Sequence, residues 1–169
     1  PPPLRGGPPP RAGEDMKRIV SAVEPPVTAN GDECGIVVCG LGVDGLGYVL
    51  GDHSAGGLSP EQWARKVALA AEAWRADRIV AEGNQGGEMV EAVLRGAGIK
   101  LGVTRVHATV NKVRRAEPIA AFFERGEFLF QQGLRIAAPF RLLPRRMADH
   151  FMHVGGELAG ERAPSLRAR

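Results

Sequence analysis

Cysteine is almost missing from this sequence: Cys34 and Cys39 are the only two among 169 residues. They lie five apart on one apolar run. On a strand they face opposite sides and cannot bond to each other. No CxxC is present, and neither cysteine has a histidine at zinc spacing, which excludes a zinc module or a disulfide framework and fits reduced thiols. The four histidines (53, 107, 150 and 153) show metal-ligand spacing only at His150 and His153, three apart. Long apolar runs are also lacking. Nothing approaches 18 consecutive apolar residues, so no membrane span is expected. The opening "PPPLRGGPPPRAG" has no initiator Met, no charged segment followed by an apolar core, and hence no secretory signal. It reads as a Pro/Gly-rich disordered leader over residues 1–15, native or not, with Met16 as the start of the domain or the join to something upstream.

A strong charge of one sign is missing from the core as well. The net charge is +3, from 22 basic and 19 acidic side chains. Seven arginines (135, 141, 145, 146, 162, 167, 169) fall in residues 133–169 against Asp149, Glu157 and Glu161, which leaves 15 basic against 16 acidic residues elsewhere. The basic balance belongs to the tail, and it gives no argument by itself that the core binds nucleic acid.

What is present reads as one domain over residues 16–130, followed by an Arg-rich tail over 131–169. Ile19, Val20, Ala22 and Val23 form a short apolar strand that ends at Glu24, before Pro25-Pro26. "CGIVVCGLG" is a second strand, Asp44-Gly45 a hairpin signal, and "LGYVLGDHSA" a third strand. "SPEQWARKVALAAEAWRA" is the clearest helix. Ser59, Pro60 and Gln62 make a capping box, and Trp63, Val67, Ala70 and Trp74 make one apolar stripe. A strand follows at Arg78–Ala81, then a helix from about Gly87 to Leu94 with a glycine stop at Gly96 and Gly98, and a fifth strand in "KLGVTRVHA". A last helix begins at Glu117-Pro118, with Ile119, Phe122 and Phe123 inward.

The order β-β-β-α-β-α-β-α predicts an α/β fold, a mixed five-stranded sheet with helices on its faces. A right-handed crossover lays the fourth strand parallel to the first. If these strands are neighbours, the carboxylates that end them, Glu24 and Glu82, sit side by side. Open sheets place their sites at such carboxyl edges. Two carboxylates there repel unless a proton or cation lies between them, and hard Mg2+ or Mn2+ ions take carboxylate oxygens. A pair of such ions supports phosphodiester hydrolysis by activated water. The alternative is that Glu82 faces solvent and Glu24 caps a turn. Asp32, Glu33 and Asp52 read mainly as turn residues. The Gly83–Gly87 turn reads as a weak phosphate cradle, with Asn84 and Gln85 as candidate DNA contacts, and Lys112, Arg114 and Arg115 form a basic cluster suited to phosphate.

Several motifs carry a resemblance: "VEPP" at 23–26, "GDECGIVV" at 31–38, "SPEQWA" at 59–64, "DRIVAEGNQGGEMVEAVLR" at 77–95 and "KVRRAEPIAAFFERG" at 112–126. In combination they resemble the C-terminal nuclease domain of bacteriophage terminase large subunits, of the prophage and gene-transfer-agent type. The likeness in these motifs ends near Phe130. It implies a ribonuclease H-like fold and a two-metal endonuclease, with Mg2+ or Mn2+, that cuts double-stranded DNA during genome packaging in a bacterial cytoplasm. It also implies a terminase ATPase domain, a small terminase subunit and a portal as partners. The family's first acid, normally Asp, falls on Glu24 and its second on Glu82. The third, an Asp on a late helix, has only Asp149 to imitate it. The missing Met and the abrupt tail fit a truncated or frameshifted fragment. Two other readings stay open: a catalytically impaired remnant that at most binds DNA, and a small α/β phosphate- or nucleotide-binding module.

Overall fold

The run Ile19–Val23, apolar but for Ser21, is buried on both faces of the sheet, which requires its strand to be central. In a computed structural model of the chain, described over residues 15–26, 33–83, 87–107, 117 and 120–130, that strand is the third of six. The elements are β1 (Met16–Glu24), β2 (Gly35–Gly42), β3 (Gly47–Asp52), α1 (Pro60–Ala73), β4 (Arg78–Glu82), α2 (Gly87–Gly96), β5 (Gly102–Val106) and β6 (Phe128–Phe130). The sheet order is β5-β4-β1-β2-β3-β6. β1, β2 and β3 form the antiparallel meander, and β4 and β5 continue the sheet parallel to β1.

The sixth strand corrects the five-strand expectation. Phe128–Phe130 is only three residues long and pairs in parallel with β3. So short a segment has no alternation to read. Its pairing depends on a neighbour about eighty positions earlier in the chain. Phe123 stacks on Phe130 at 4.8 Å between ring centroids, and Phe122 and Phe123 both pack against Phe128. The aromatic contacts, rather than a local propensity, hold this strand at the edge.

The pleat divides the core in two. On one face Ile19, Val23, Ile36, Val38, Leu50, Ile79 and Ala81 meet Trp63, Val67 and Ala70 of α1 and Val90 and Leu94 of α2. On the other, Val20, Ala22, Val37, Cys39, Val49, Val80 and Val106 join Phe128. Cys34 belongs to the first cluster and Cys39 to the second, so the two thiols are on opposite faces.

Helix boundaries follow local chemistry. Ser59 Oγ accepts from the Gln62 amide at 3.3 Å while Gln62 Oε1 accepts from the Ser59 amide at 2.8 Å, closing the predicted box. Three of the four stripe residues are buried; Trp74 instead caps the C-terminus of α1. Both helices end in the same double bond pattern. In α1 the Ala76 amide reaches Ala71 O and the Arg75 amide Glu72 O; in α2 the Ile99 amide reaches Leu94 O and the Gly98 amide Arg95 O. The residue at the turn is left-handed in each: Gly98 at φ 85° and Arg75 at φ 53°. Only a side chain bearing Cβ pays there, at about 1–2 kcal/mol. Arg75→Gly is therefore expected to raise unfolding free energy by about 0.5–1 kcal/mol, the glycine's extra unfolded-state freedom offsetting part of the gain. A urea titration measures it.

Candidate active site

Register decides where the two strand-ending carboxylates lie. β1 and β4 pair in parallel as Val20↔Arg78, Ala22↔Val80 and Val23↔Ala81. One step further along both strands stand Glu24 and Glu82, their last residues. Ala22 and Val80 both belong to the second core cluster, so by the two-residue period Glu24 and Glu82 project from that same face, away from α1 and α2. Neighbouring strands are about 4.8 Å apart. Glu24 is also paired with Gly35 across β2, a neighbour without a side chain. Both glutamates are half-buried, and Oε2 of Glu82 is shielded from solvent altogether.

Other charges gather on this edge. Cys34, 1% exposed, bridges to Ala55 just before β2. Burial first, then the Glu24 and Glu33 carboxylates, push its thiol up to about 12, while Lys66 pulls the other way. The thiol thus stays protonated and inert near neutrality. Asp52 reaches the edge through a bulge. The β2–β3 register runs Cys39↔Val49, Val38↔Gly51 and Val37↔Asp52, leaving Leu50 as the extra residue. Leu50 and Gly51 fall successively on the helix side, and Asp52 is thereby returned to the face of Glu24 and Glu82. It stands two strands from Glu24 and two residues short of it, since Val37 pairs with both Ala22 and Asp52. Its Oδ1 accepts from the Ser54 amide at 3.0 Å, the turn role read from the sequence.

At the end of β5, paired with β4 as Ala81↔Arg105 and Glu82↔Val106, stand Arg105 and His107. Sequence reading passed over both as site neighbours. The only signal was their place at the end of a strand parallel to β4. Among the described residues, no group of three or more His, Cys, Asp and Glu is close enough to hold a metal ion. Asn84, Gln85, Lys112, Arg114, Arg115, Asp149 and Asp32 lie outside the described residues.

A family model, the terminase RNase H-like domain, matches residues 22–149. The chain belongs to this family. The match passes Phe130, where the recognisable motifs end, and extends the likeness as far as Asp149. Among solved structures, this terminase RNase H-like domain is similar to the human cytomegalovirus terminase nuclease domain, a manganese-soaked structure. Identity is 15%, TM-score 0.59, with 92% of this chain and 88% of that one covered. The yeast mitochondrial Holliday junction resolvase gives 12% identity and TM-score 0.54 over 85% and 79% of the two chains. The large terminase nuclease of a thermophilic phage, with bound cobalt, gives 16% and 0.50 over 73% and 67%. At these identities the structures show the shared fold. A search of curated proteins found no match. No helix among the described residues is long and apolar enough to cross a membrane.

The side of the edge away from β4 carries a titrating contact. Trp74 Nε1 donates to His53 Nε2 at 3.1 Å, over Gly51, where a Cβ would sit 2.8 and 2.9 Å from those two nitrogens. An accepting Nε2 requires neutral imidazole. Burial, then Lys66, lowers the His53 pKa, with Asp52 opposing. A group with a depressed folded-state pKa is protonated more readily in the unfolded chain. Its stabilising contribution is complete above the unfolded value of about 6.5 and is lost as pH falls through the folded value. Urea midpoints are expected to drop between about pH 7 and pH 5, with a shallower drop in His53→Gln, whose amide oxygen accepts from Trp74 at either pH.

Proposed function

We propose that this domain is the metal-dependent endonuclease of a DNA-packaging terminase, hydrolysing double-stranded DNA phosphodiesters, with Glu24 and Glu82 as its metal ligands. The observation that carries the reading is the β1–β4 register, which brings two carboxylates to one face at adjacent parallel strand ends. The donor set suits the group. Both side chains offer hard anionic oxygens, one of them shielded from water, and like charges so close are stabilised by a divalent cation between them. Soaked manganese in the cytomegalovirus nuclease structure and cobalt in the thermophilic phage nuclease support the same choice of ion. Bound Mg2+ or Mn2+ supplies Lewis-acid stabilisation of the phosphoryl oxygens and a water of lowered pKa.

The protein's own part is orientation. Glu24 and Glu82 are fixed by the two strands that bear them, so their carboxylates are set before substrate arrives. Asp149, within the family match, is the acid we assign to complete the set. Lys112, Arg114, Arg115, Asn84 and Gln85 are assigned to the DNA backbone. A terminase ATPase domain, a small terminase subunit and a portal follow as partners from the family reading. The impaired alternative turns on Asp149: the described residues hold no group of three acids, and Asp149 lies outside them. A chain in which Asp149 does not join them would bind DNA without cutting it.

Two readouts test the proposal on the full chain. With Mg2+ or Mn2+ and supercoiled plasmid, nicking is expected in the wild type, abolished by EDTA, and reduced at least about 100-fold in Glu24→Gln and in Glu82→Gln. Independently of turnover, Mn2+ is expected to raise the melting temperature of the wild type and to leave both variants unshifted. Without metal, each variant is expected to melt no lower than the wild type, because a like-charge repulsion has been removed. A Mn2+ shift that persists in both variants refutes the assignment. A Mn2+ shift without nicking selects the impaired reading.

A further inference from the structure

We propose that Arg105 holds a DNA backbone phosphate at the β5 end of the carboxyl edge, on the α2 flank of the rim that also bears Glu24 and Glu82. The inference rests on the nuclease reading above and adds to it the side from which the substrate strand is gripped.

Charge along the edge is ordered. Following the strands from β5, the edge carries Arg105 with His107, then Glu82, then Glu24, then Glu33 and finally Asp52. Lys66, half-buried on α1, offsets part of the acid at the far end, near Cys34 and His53. An anionic backbone crossing this edge is attracted on the β5 side and repelled beyond β1.

The position of Arg105 suits the task. It pairs with Ala81, one residue before Glu82, on the edge strand. Ala81 lies on the helix-side face, so the guanidinium runs out along the start of α2 and does not cross the carboxylate face. Its Nη1 stands 3.7 Å from where a Cβ on Gly87 would be. The exposed His107 sits on the same side, its Cε1 3.6 Å from the corresponding point on Gly83. Arg105 is also only loosely engaged. Glu91 Oε2 lies 4.0 Å from its Nε, and the same carboxylate lies nearer to Arg95, at 3.5 Å. Arg95 is committed elsewhere, donating to Ile99 O and Leu101 O at 3.0 and 2.8 Å. An ion pair this long and this exposed contributes little, whereas a guanidinium offers a phosphate two parallel donors.

The experiment is duplex binding by the full chain. Fluorescence anisotropy of a labelled DNA duplex is recorded over a series of NaCl concentrations, with Ca2+ in place of the catalytic ion. The proteins are wild type, Arg105→Gln, Arg105→Lys and Lys100→Gln. Lys100 precedes β5 at the opposite end of the strand, so its loss alters net charge without touching the carboxyl edge. Arg105→Gln is expected to weaken binding and to lower the slope of log K against log salt by about 0.9, the signature of one lost phosphate contact. Arg105→Lys is expected to keep the slope, and Lys100→Gln to leave it unchanged. A wild-type slope in Arg105→Gln, or an equal loss in Lys100→Gln, overturns the assignment while leaving the nuclease reading intact. A wild type that binds no duplex overturns both.

Discussion

The parallel pairing of β1 with β4 is the constraint on which the rest of this structure depends. A pleated strand presents alternate residues to alternate faces, so a slip of one residue would send Glu82 to the helix side and leave Glu24 alone. The register is held from the core. Ile19, Val23, Ile79 and Ala81 are buried against α1 and α2, and Val20, Ala22 and Val80 are buried on the reverse face. A one-residue slip would exchange both sets at once. At the start of the pair a local lock adds to this. Asp77 Oδ2 accepts from the Ile19 amide at 2.7 Å, and the Asp77 amide donates to Ile19 O at 2.7 Å. The carboxylates at one end of the pairing are therefore placed by hydrogen bonds at the other end and by apolar burial along its length.

The antiparallel half of the sheet does different work. β2 and β3 cover β1 on its other side. They carry the bulge that turns Asp52 to the carboxylate face and the His53–Trp74 bond that ties the end of β3 to the end of α1. The acidic group of the edge thus leans toward β3, while Arg105 at the end of β5 stands on the side of β4. This polarity follows from strand order and register.

Much of this was legible in the sequence because the signals were local. The capping box of α1, the Asp44-Gly45 turn and the glycine stop of α2 each need only a few neighbouring residues. The adjacency of Glu24 and Glu82 followed from handedness and strand ends. The features that escaped depend on distant partners. β6 exists because Phe128 and Phe130 find β3 and Phe123, and the bulge at Leu50 appears only when β3 is set against β2. Arg105 comes to the carboxyl edge only because β5 pairs with β4. The reach of the family likeness to Asp149 was missed because the Arg-rich tail has no periodicity to read.

The most direct measurement of the central geometry is cross-linking. With Glu24→Cys and Glu82→Cys in one chain, mild oxidation should close an intramolecular disulfide. Adjacent strand positions fall within the Cα separation of about 4.4–6.8 Å that such a bond requires. The native Cys34 and Cys39 are buried and take no part. Formation of the bond in the folded protein, seen by mass after proteolysis, is the result this account predicts. Two thiols that stay reduced while the protein remains folded would contradict it, because the two carboxylates would then not share an edge and a face.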